Sequence, residues 1–340
     1  MGLMSREYVI LDLEWNQGYP KHEHSEIPFE VIEIGAVKLD RDKRITDRFE
    51  SLVRPSVYKK LFFMSAKVTG ISMDELKEAD PFPEVFRRFM SWCGEDYIFC
   101  TWGSMDLTEL RRNIRFHKLE SLSHGPLPFL DIQKLYSLEY DDGKSRMALK
   151  KAVDLLMIEK TDAFHRADSD AFYTAEVFRR LTRRELERYE SYDLYRLPAT
   201  KAEEVHALFP TYSKYISRGF SSKGSVLHDR EAASVRCFCC DRPTQIFIPW
   251  VSVNGKQYFA MGKCPEHGMM RGHLRVKKNW DGVIYGMKTI RPAKPGDEGE
   301  LRQKEKAMKE QEKKLKKMFR NNYSKKSAAV PQATSEDSDI

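Results

Sequence analysis

Two carboxylates, Asp12 and Glu14, sit inside the apolar run Tyr8-Val9-Ile10-Leu11-Asp12-Leu13-Glu14-Trp15. So many β-branched and large apolar residues in a short run read as a core strand. Side chains alternate faces along a strand, so residues two apart point the same way and both acids converge on one side. Two like charges held in a core cost several kcal/mol unless something positive compensates. A divalent metal ion suits that need, because it takes hard oxygen ligands presented close together on a rigid element.

The flanking pattern places this strand in a sheet. Phe29 to Leu39 is a nearly continuous apolar run broken by Glu30 and Glu33, as in a central strand, and residues 45–54 read as a third strand. Asp80-Pro81-Phe82-Pro83 opens a helix carrying Val85, Phe86, Phe89, Met90 and Trp92 at helical spacing, and Gly94 closes it. A fourth strand, Tyr97 to Trp102, leads into a helix over 104–117. A short strand near 129–132 follows, then helices near 132–139, 146–157 and 166–190. Strands followed by strand–helix alternation predict an α/β fold with a mixed sheet flanked by helices. That domain spans residues 1–192. An irregular, aromatic-dotted connector is expected over 193–232 and a small β module over 233–292, where Asn254-Gly255 joins two strands as a hairpin turn. Residues 293–326 read as a basic helix or arm and 327–340 as a disordered tail.

The 340 residues are enough for one large core and an accessory module. No apolar stretch approaches the ~20 residues needed to span a bilayer, and the start shows neither a secretory pattern nor a myristoylation pattern, so a cytoplasmic protein is expected. The net charge of +7 is unevenly placed. Residues 1–229 carry −3, residues 230–295 carry +8 and residues 301–326 carry +8. A slightly acidic first half joined to a basic second half fits a polyanionic partner gripped mainly by the second half.

Two further acidic segments extend the first motif. Thr101-Trp102-Gly103-Ser104-Met105-Asp106 ends the fourth strand, and Asp106 is either a helix N-terminal acid or a carboxylate presented at a sheet edge. His165-Arg166-Ala167-Asp168-Ser169-Asp170 enters a later helix. Taken singly, the plainer reading prevails for each segment: helix-start acids and a surface histidine.

In their order, these segments resemble the DEDDh branch of the DnaQ-like 3′–5′ exonucleases, on a ribonuclease H-like fold. The ERI/KapD-type group within that branch is most similar, through Ile32-Glu33-Ile34-Gly35, Trp102-Gly103-x-x-Asp106 and Lys67-Val68-Thr69-Gly70-Ile71. The resemblance covers residues 5–185 and implies a metal-dependent exonuclease that releases 5′-mononucleotides from single-stranded nucleic acid. RNA is favoured over DNA on the ERI-like resemblance alone. A DNA repair or proofreading exonuclease is the alternative within enzymes, and a non-catalytic nucleic-acid-binding regulator the alternative outside them.

By position, Asp12, Glu14, Asp106 and Asp170 would hold two Mg²⁺ or Mn²⁺ ions, with Asp12 shared. His165 would be the general base, histidine being the side chain that titrates near neutral pH. The third motif departs from the usual Ala-Leu-Asp-Asp, which leaves Asp168 as a rival; the five-residue step from His165 favours Asp170. Trp15 is a second departure, set either to wedge against a terminal base or merely to pack. Trp102 is a further candidate substrate contact.

Cys237-x-x-Cys240 and Cys264-x-x-His267 have zinc-knuckle spacing and predict one structural Zn²⁺ in a closed Cys₃His site. Cys239 is an alternative ligand and His273 a weaker one. Cys93 and Cys100 sit in apolar contexts and read as inert thiols. Arg271, Arg275, Lys277 and Lys278, with Trp280 and Tyr285, follow the knuckles and fit phosphate contact and base stacking, Arg271, Lys277 and Lys278 foremost.

Overall fold

The computed structural model describes residues 6–19, 24 and 26–327. The chain divides into two units: Met1–Val205 with Asn279–Gly282, and His206–Lys278 with Val283–Ile340.

The first unit begins with β1 (Glu7–Gln17), β2 (Phe29–Leu39) and β3 (Ile45–Leu52). Helices α1 (Phe63–Thr69), α2 (Met73–Glu78) and α3 (Phe82–Cys93) follow. Next come β4 (Tyr97–Thr101), α4 (Met105–Phe116), β5 (Leu127–Asp131), α5 (Ile132–Tyr140), α6 (Leu149–Leu155), α7 (Ala167–Arg180) and β6 (Ser191–Asp193). The strands form one sheet in the order β3-β2-β1-β4-β5-β6. β1 runs antiparallel to β2 and parallel to β4, and β4 is parallel to β5. This is the α/β mixed sheet that the strand–helix alternation predicts.

Alternation along β1 decides what each face meets. Val9, Leu11 and Leu13 enter the core cluster with Val85, Phe86 and Phe89 of α3 and Leu107, Leu110 and Ile114 of α4. On the other face the Tyr8 ring meets Phe178 of α7, centroids 5.0 Å apart. Asp12 and Glu14 share that second face, so they look toward α7.

Three local differences from the sequence reading have physical causes. Helices α1 and α2 fill the stretch before α3; Ser72 and Glu75 form a reciprocal capping box that starts α2. α7 stops at Arg180 instead of running to residue 190, because Leu181 is extended and the Thr182 N–H and hydroxyl both donate to Glu139 Oε1. The segment 193–232, expected as an irregular connector, contains regular elements of the second unit.

Those elements are β7 (Val205–Leu208), β8 (Ser213–Ile216) and α8 (Lys223–His228). They are followed by β9 (Gln245–Ser252), β10 (Gln257–Cys264), β11 (Gly268–Lys278), β12 (Ile284–Pro292) and α9 (Asp297–Ser327). The strands make a second six-stranded sheet, β7-β8-β12-β11-β10-β9. Four-residue strands carry too little periodicity to be read from sequence, which hid β7 and β8.

One face of this sheet packs under α8 and the cysteine segment, through Tyr215, Val226, Tyr258 and Leu274 and through Val235, Ala260, Met270 and Ile290. The other face receives the start of α9: Leu301 is fully buried among Ile248, Val251 and Met261. Asp297, at the first turn of α9, is gripped by Arg271 and Arg291. Burial would push Asp297 up, but hydrogen bonds from Arg291, the Lys294 N–H and Arg271 hold it at about 2. The basic arm is therefore a helix whose first turns are docked. The tail from residue 328 onward lies outside the described residues.

Candidate active site

Pairing between β1 and β4 runs from Glu7–Tyr97 to Ile10–Cys100, so β1 overshoots its parallel neighbour. Past the end of that ladder the Leu13 N–H is taken by Asp106 Oδ1 at 3.3 Å. Gly103, at φ 103°, makes the turn from β4 into α4 that brings Asp106 there. The site thus forms at the carboxyl ends of adjacent parallel strands, where open α/β sheets leave a crevice.

The other wall is the start of α7. Gly35 lies opposite Asp12 across the β1–β2 pair. A Cβ on Gly35 would fall 2.0 Å from the Ala167 carbonyl carbon and 2.1 Å from the Asp168 nitrogen. Only glycine lets the first turn of α7 lie on β2 this closely. Glu33, opposite Glu14 and fully buried, then serves as an external cap: its carboxylate accepts the Ala167 N–H at 2.9 Å. Arg166 completes the arrangement, with its Nε 2.9 Å from Glu33 Oε1 and a second arm 3.1 Å from Glu50. Neither Glu33 nor Arg166 was singled out for a role in the sequence. The available signal was a charged residue inside a central strand beside the Gly35 motif.

His165 is exposed and held at φ 70°, and its N–H donates to Asp170 Oδ2 at 3.1 Å. Tyr173 of α7 fixes the loop before it. The Asp162 N–H donates to the Tyr173 hydroxyl, which in turn donates to the Asp162 carbonyl, and Phe164 stacks on the tyrosine ring. Ligating atoms of Glu14, His165 and Asp170 all lie within 4.8 Å of one another. Asp168 instead groups with Glu33 and Glu50, on the side where Arg166 sits. The geometry therefore places Asp170, not Asp168, beside Glu14 and His165.

The acids are held in their neutral direction. Burial, then Asp106, Asp170 and Glu14, drives Asp12 well above the carboxylate range. Burial, then Asp170 and Glu33, pushes Glu14 up to about 8. Burial raises Asp106 to about 7 and Asp170 to about 6. One oxygen of Asp170, Oδ1, is buried without a hydrogen-bond partner. Four crowded carboxylates and a spare acceptor form a donor set that a divalent cation satisfies.

The expected substrate contacts fare differently. Trp15 follows a register shift after Glu14 and packs on Phe29 and the core rather than facing the acids. Trp102 donates its indole N–H to the Met147 carbonyl at 3.0 Å and leans on Tyr136. Arg271 is consumed by Asp297 and Glu300, which corrects its expected role in phosphate contact. Lys277 and Lys278 are exposed.

In the second unit, ligating atoms of Cys237, Cys240, Cys264 and His267 lie within 4.8 Å of one another. Cys240 and Cys264 sulfurs are 3.9 Å apart, and Cys264 Sγ is 3.6 Å from His267 Nδ1. Tetrahedral zinc with ordinary bond lengths sets those edges at about 3.8 and 3.6 Å. The Cys239 N–H donates to Cys237 Sγ while its own thiol is exposed, and His273 stacks on Phe259 away from the cluster. Neither joins the four.

The Exonuclease (RNase_T) family model matches residues 9–178, half of the chain and the whole acidic constellation. The chain belongs to this exonuclease family. Similar proteins include the probable 3′–5′ exonuclease KapD of Bacillus subtilis, 26% identical over 181 residues that cover 52% of this chain and 85% of KapD. The 3′–5′ exoribonuclease 1 of Rattus norvegicus is 30% identical over 166 residues, 45% of each protein. The PolC-type DNA polymerase III of Bacillus subtilis is 27% identical over 179 residues, only 12% of its length. The chain therefore spans less than half of the last two relatives. Among solved structures, the nuclease domain of 3′hExo, a DEDDh family member bound to rAMP, is 22% identical with a TM-score of 0.46 over 53% of this chain and 93% of that one. The family match, with 3′–5′ exonucleases among these relatives, makes this chain a 3′–5′ exonuclease.

Proposed function

We propose that this exonuclease removes 5′-mononucleotides from the 3′ end of single-stranded nucleic acid, RNA before DNA, using divalent metal ions. The observation that carries the reading is the convergence of Asp12, Glu14, Asp106 and Asp170 beside His165, every acid raised and one Asp170 oxygen unpartnered. Glu14 and Asp170 with Asp12 would hold one ion, and Asp106 with Asp12 the other. Held there, such ions would supply charge neutralisation at the scissile phosphate and would lower the pKa of a bound water. The chain's own part is to fix the carboxylates on rigid elements through Gly35, Glu33 and Arg166 and to take the water's proton on His165, which the Asp170 contact and Tyr173 hold in place. RNA preference follows the exoribonuclease relative. In the second unit, one zinc would tie the two knuckles as a structural centre, since four protein ligands leave no open position.

Side-by-side digestion of matched single-stranded RNA, single-stranded DNA and duplexes with 3′ overhangs tests the proposal. The expected result is a 3′-end ladder with 5′-mononucleotide product, fastest on RNA. Internal cuts or nucleoside 3′-monophosphates would overturn it, and faster DNA digestion would overturn the RNA preference.

A further inference from the structure

Arg271, His273, Arg275 and Lys277 alternate along β11 and so share one face of the second sheet. Their cross-strand neighbours on that face are Met261, Phe259 and Gln257 from β10, and Arg291, Thr289, Met287 and Tyr285 from β12. Lys214 and Ile216 of β8 continue it. None of these is an acid. Carboxylates reach the face from α9, where Asp297 and Glu300 take Arg271 and Asp297 takes Arg291. Helix α9 thus neutralises one end of the stripe and leaves the other positive.

At that positive end Arg275 is the anomaly. Among the described residues no carboxylate pairs with it; one guanidinium nitrogen lies 3.3 Å from Met287 Sδ, and its Nε is buried with no hydrogen-bond partner. An unsatisfied buried donor costs about 1–3 kcal/mol and calls for an explanation. The surroundings carry the same sign. Burial, then Arg275, Arg271 and Lys304, hold His273 down at about 4.

We infer that Arg275 and Lys277 form a phosphate-binding site that grips successive phosphodiesters of the nucleic-acid strand. This rests on the proposed nucleic-acid substrate. The guanidinium offers a planar fork suited to phosphate oxygens, and the lysine a point charge two residues along. Residues i and i+2 of a strand stand ~6.6 Å apart, a step that one stretched nucleotide unit covers.

The test measures binding of a 5′-labelled single strand to the full chain between 50 and 200 mM salt. An Arg275→Gln/Lys277→Gln double variant should bind about 10-fold more weakly or worse. Its log–log salt slope should be shallower by about 1.4, since each lost phosphate contact removes about 0.7 on a single strand. Its KM should rise more for a long oligonucleotide than for a trinucleotide. Arg275→Lys, which keeps the charge and secures the test against misfolding, should retain most of the slope. A Lys150→Gln/Lys201→Gln pair removes equal charge from exposed positions of the first unit, and should leave the slope nearly intact. A wild-type slope in the Arg275/Lys277 double variant overturns the site, as does an equal loss in the Lys150/Lys201 pair. A wild-type protein that shortens no strand at all overturns the functional proposal instead.

Discussion

Arg166→Ala is the sharpest perturbation of the scaffold behind the acids. Glu33 is fully buried, and Arg166 is its charge partner through Nε at 2.9 Å and a second guanidinium contact. Removing one member of a buried ion pair leaves the other charge uncompensated, which costs about 3–5 kcal/mol. The Ala167 N–H still bonds Glu33, which favours the lower part of that range. For a unit of this size 1 kcal/mol moves the transition by about 2–4 °C, so the first unit should melt about 6–20 °C lower. The sign of the pH dependence is also fixed. Without Arg166 the buried carboxylate carries its charge unpaired, so the deficit should be larger at pH 8, where carboxylates are charged, than at pH 5. Scanning calorimetry reads both effects, with the transition of the second unit assigned by its response to zinc chelation. Glu33→Gln should cost less, and the double variant should show about 1–3 kcal/mol of coupling. A melting shift under about 2 °C, or no coupling, would refute the reasoning.

Three further outcomes are expected. The folded pKa values of Glu14, Asp106 and Asp170 are raised to about 8, 7 and 6, so these acids favour the folded state at low pH and oppose it as pH climbs through those values; metal-free protein should lose stability between pH 5 and 8, and Mn²⁺ should restore it, whereas a flat metal-free profile contradicts the shifts. Elemental analysis should find about one zinc per chain, absent in Cys237→Ala/Cys240→Ala; a metal-free wild type sinks the structural zinc. Leu301→Ala should destabilise the second unit by about 2–5 kcal/mol, while deleting residues 315–340 should leave that unit's melting unchanged and flatten the salt slope of strand binding; a large melting shift on deletion contradicts docking through the first turns of α9.

Much of the first unit was legible because its signals are local and long. The β1 and β2 runs extend over eleven residues each, and the Asp12/Glu14 step of two sets one face without further information. Asp106, His165 and Asp170 were legible by order, and the five-residue step from His165 already favoured Asp170 over Asp168; the structure places Asp170 beside Glu14 and His165. Arg166 and Glu33 stayed hidden because their partnership spans 133 residues of sequence. Charge counting found the basic second half and misassigned its members: Arg271 looks as free as Arg275 until Asp297 and Glu300 arrive from α9. Trp15 and Trp102 show a related limit, since an aromatic beside a catalytic motif reads the same whether it packs or stacks.

The most direct measurement is the shortening of a 5′-labelled single-stranded RNA by wild-type protein and by Asp12→Ala, with Mg²⁺, with Mn²⁺ and in chelator. A ladder with wild type and either metal, and none in chelator or with a folded Asp12→Ala, is the result this account requires. A ladder that survives chelation or the loss of Asp12 would contradict it, as would no shortening of either RNA or DNA by the wild type.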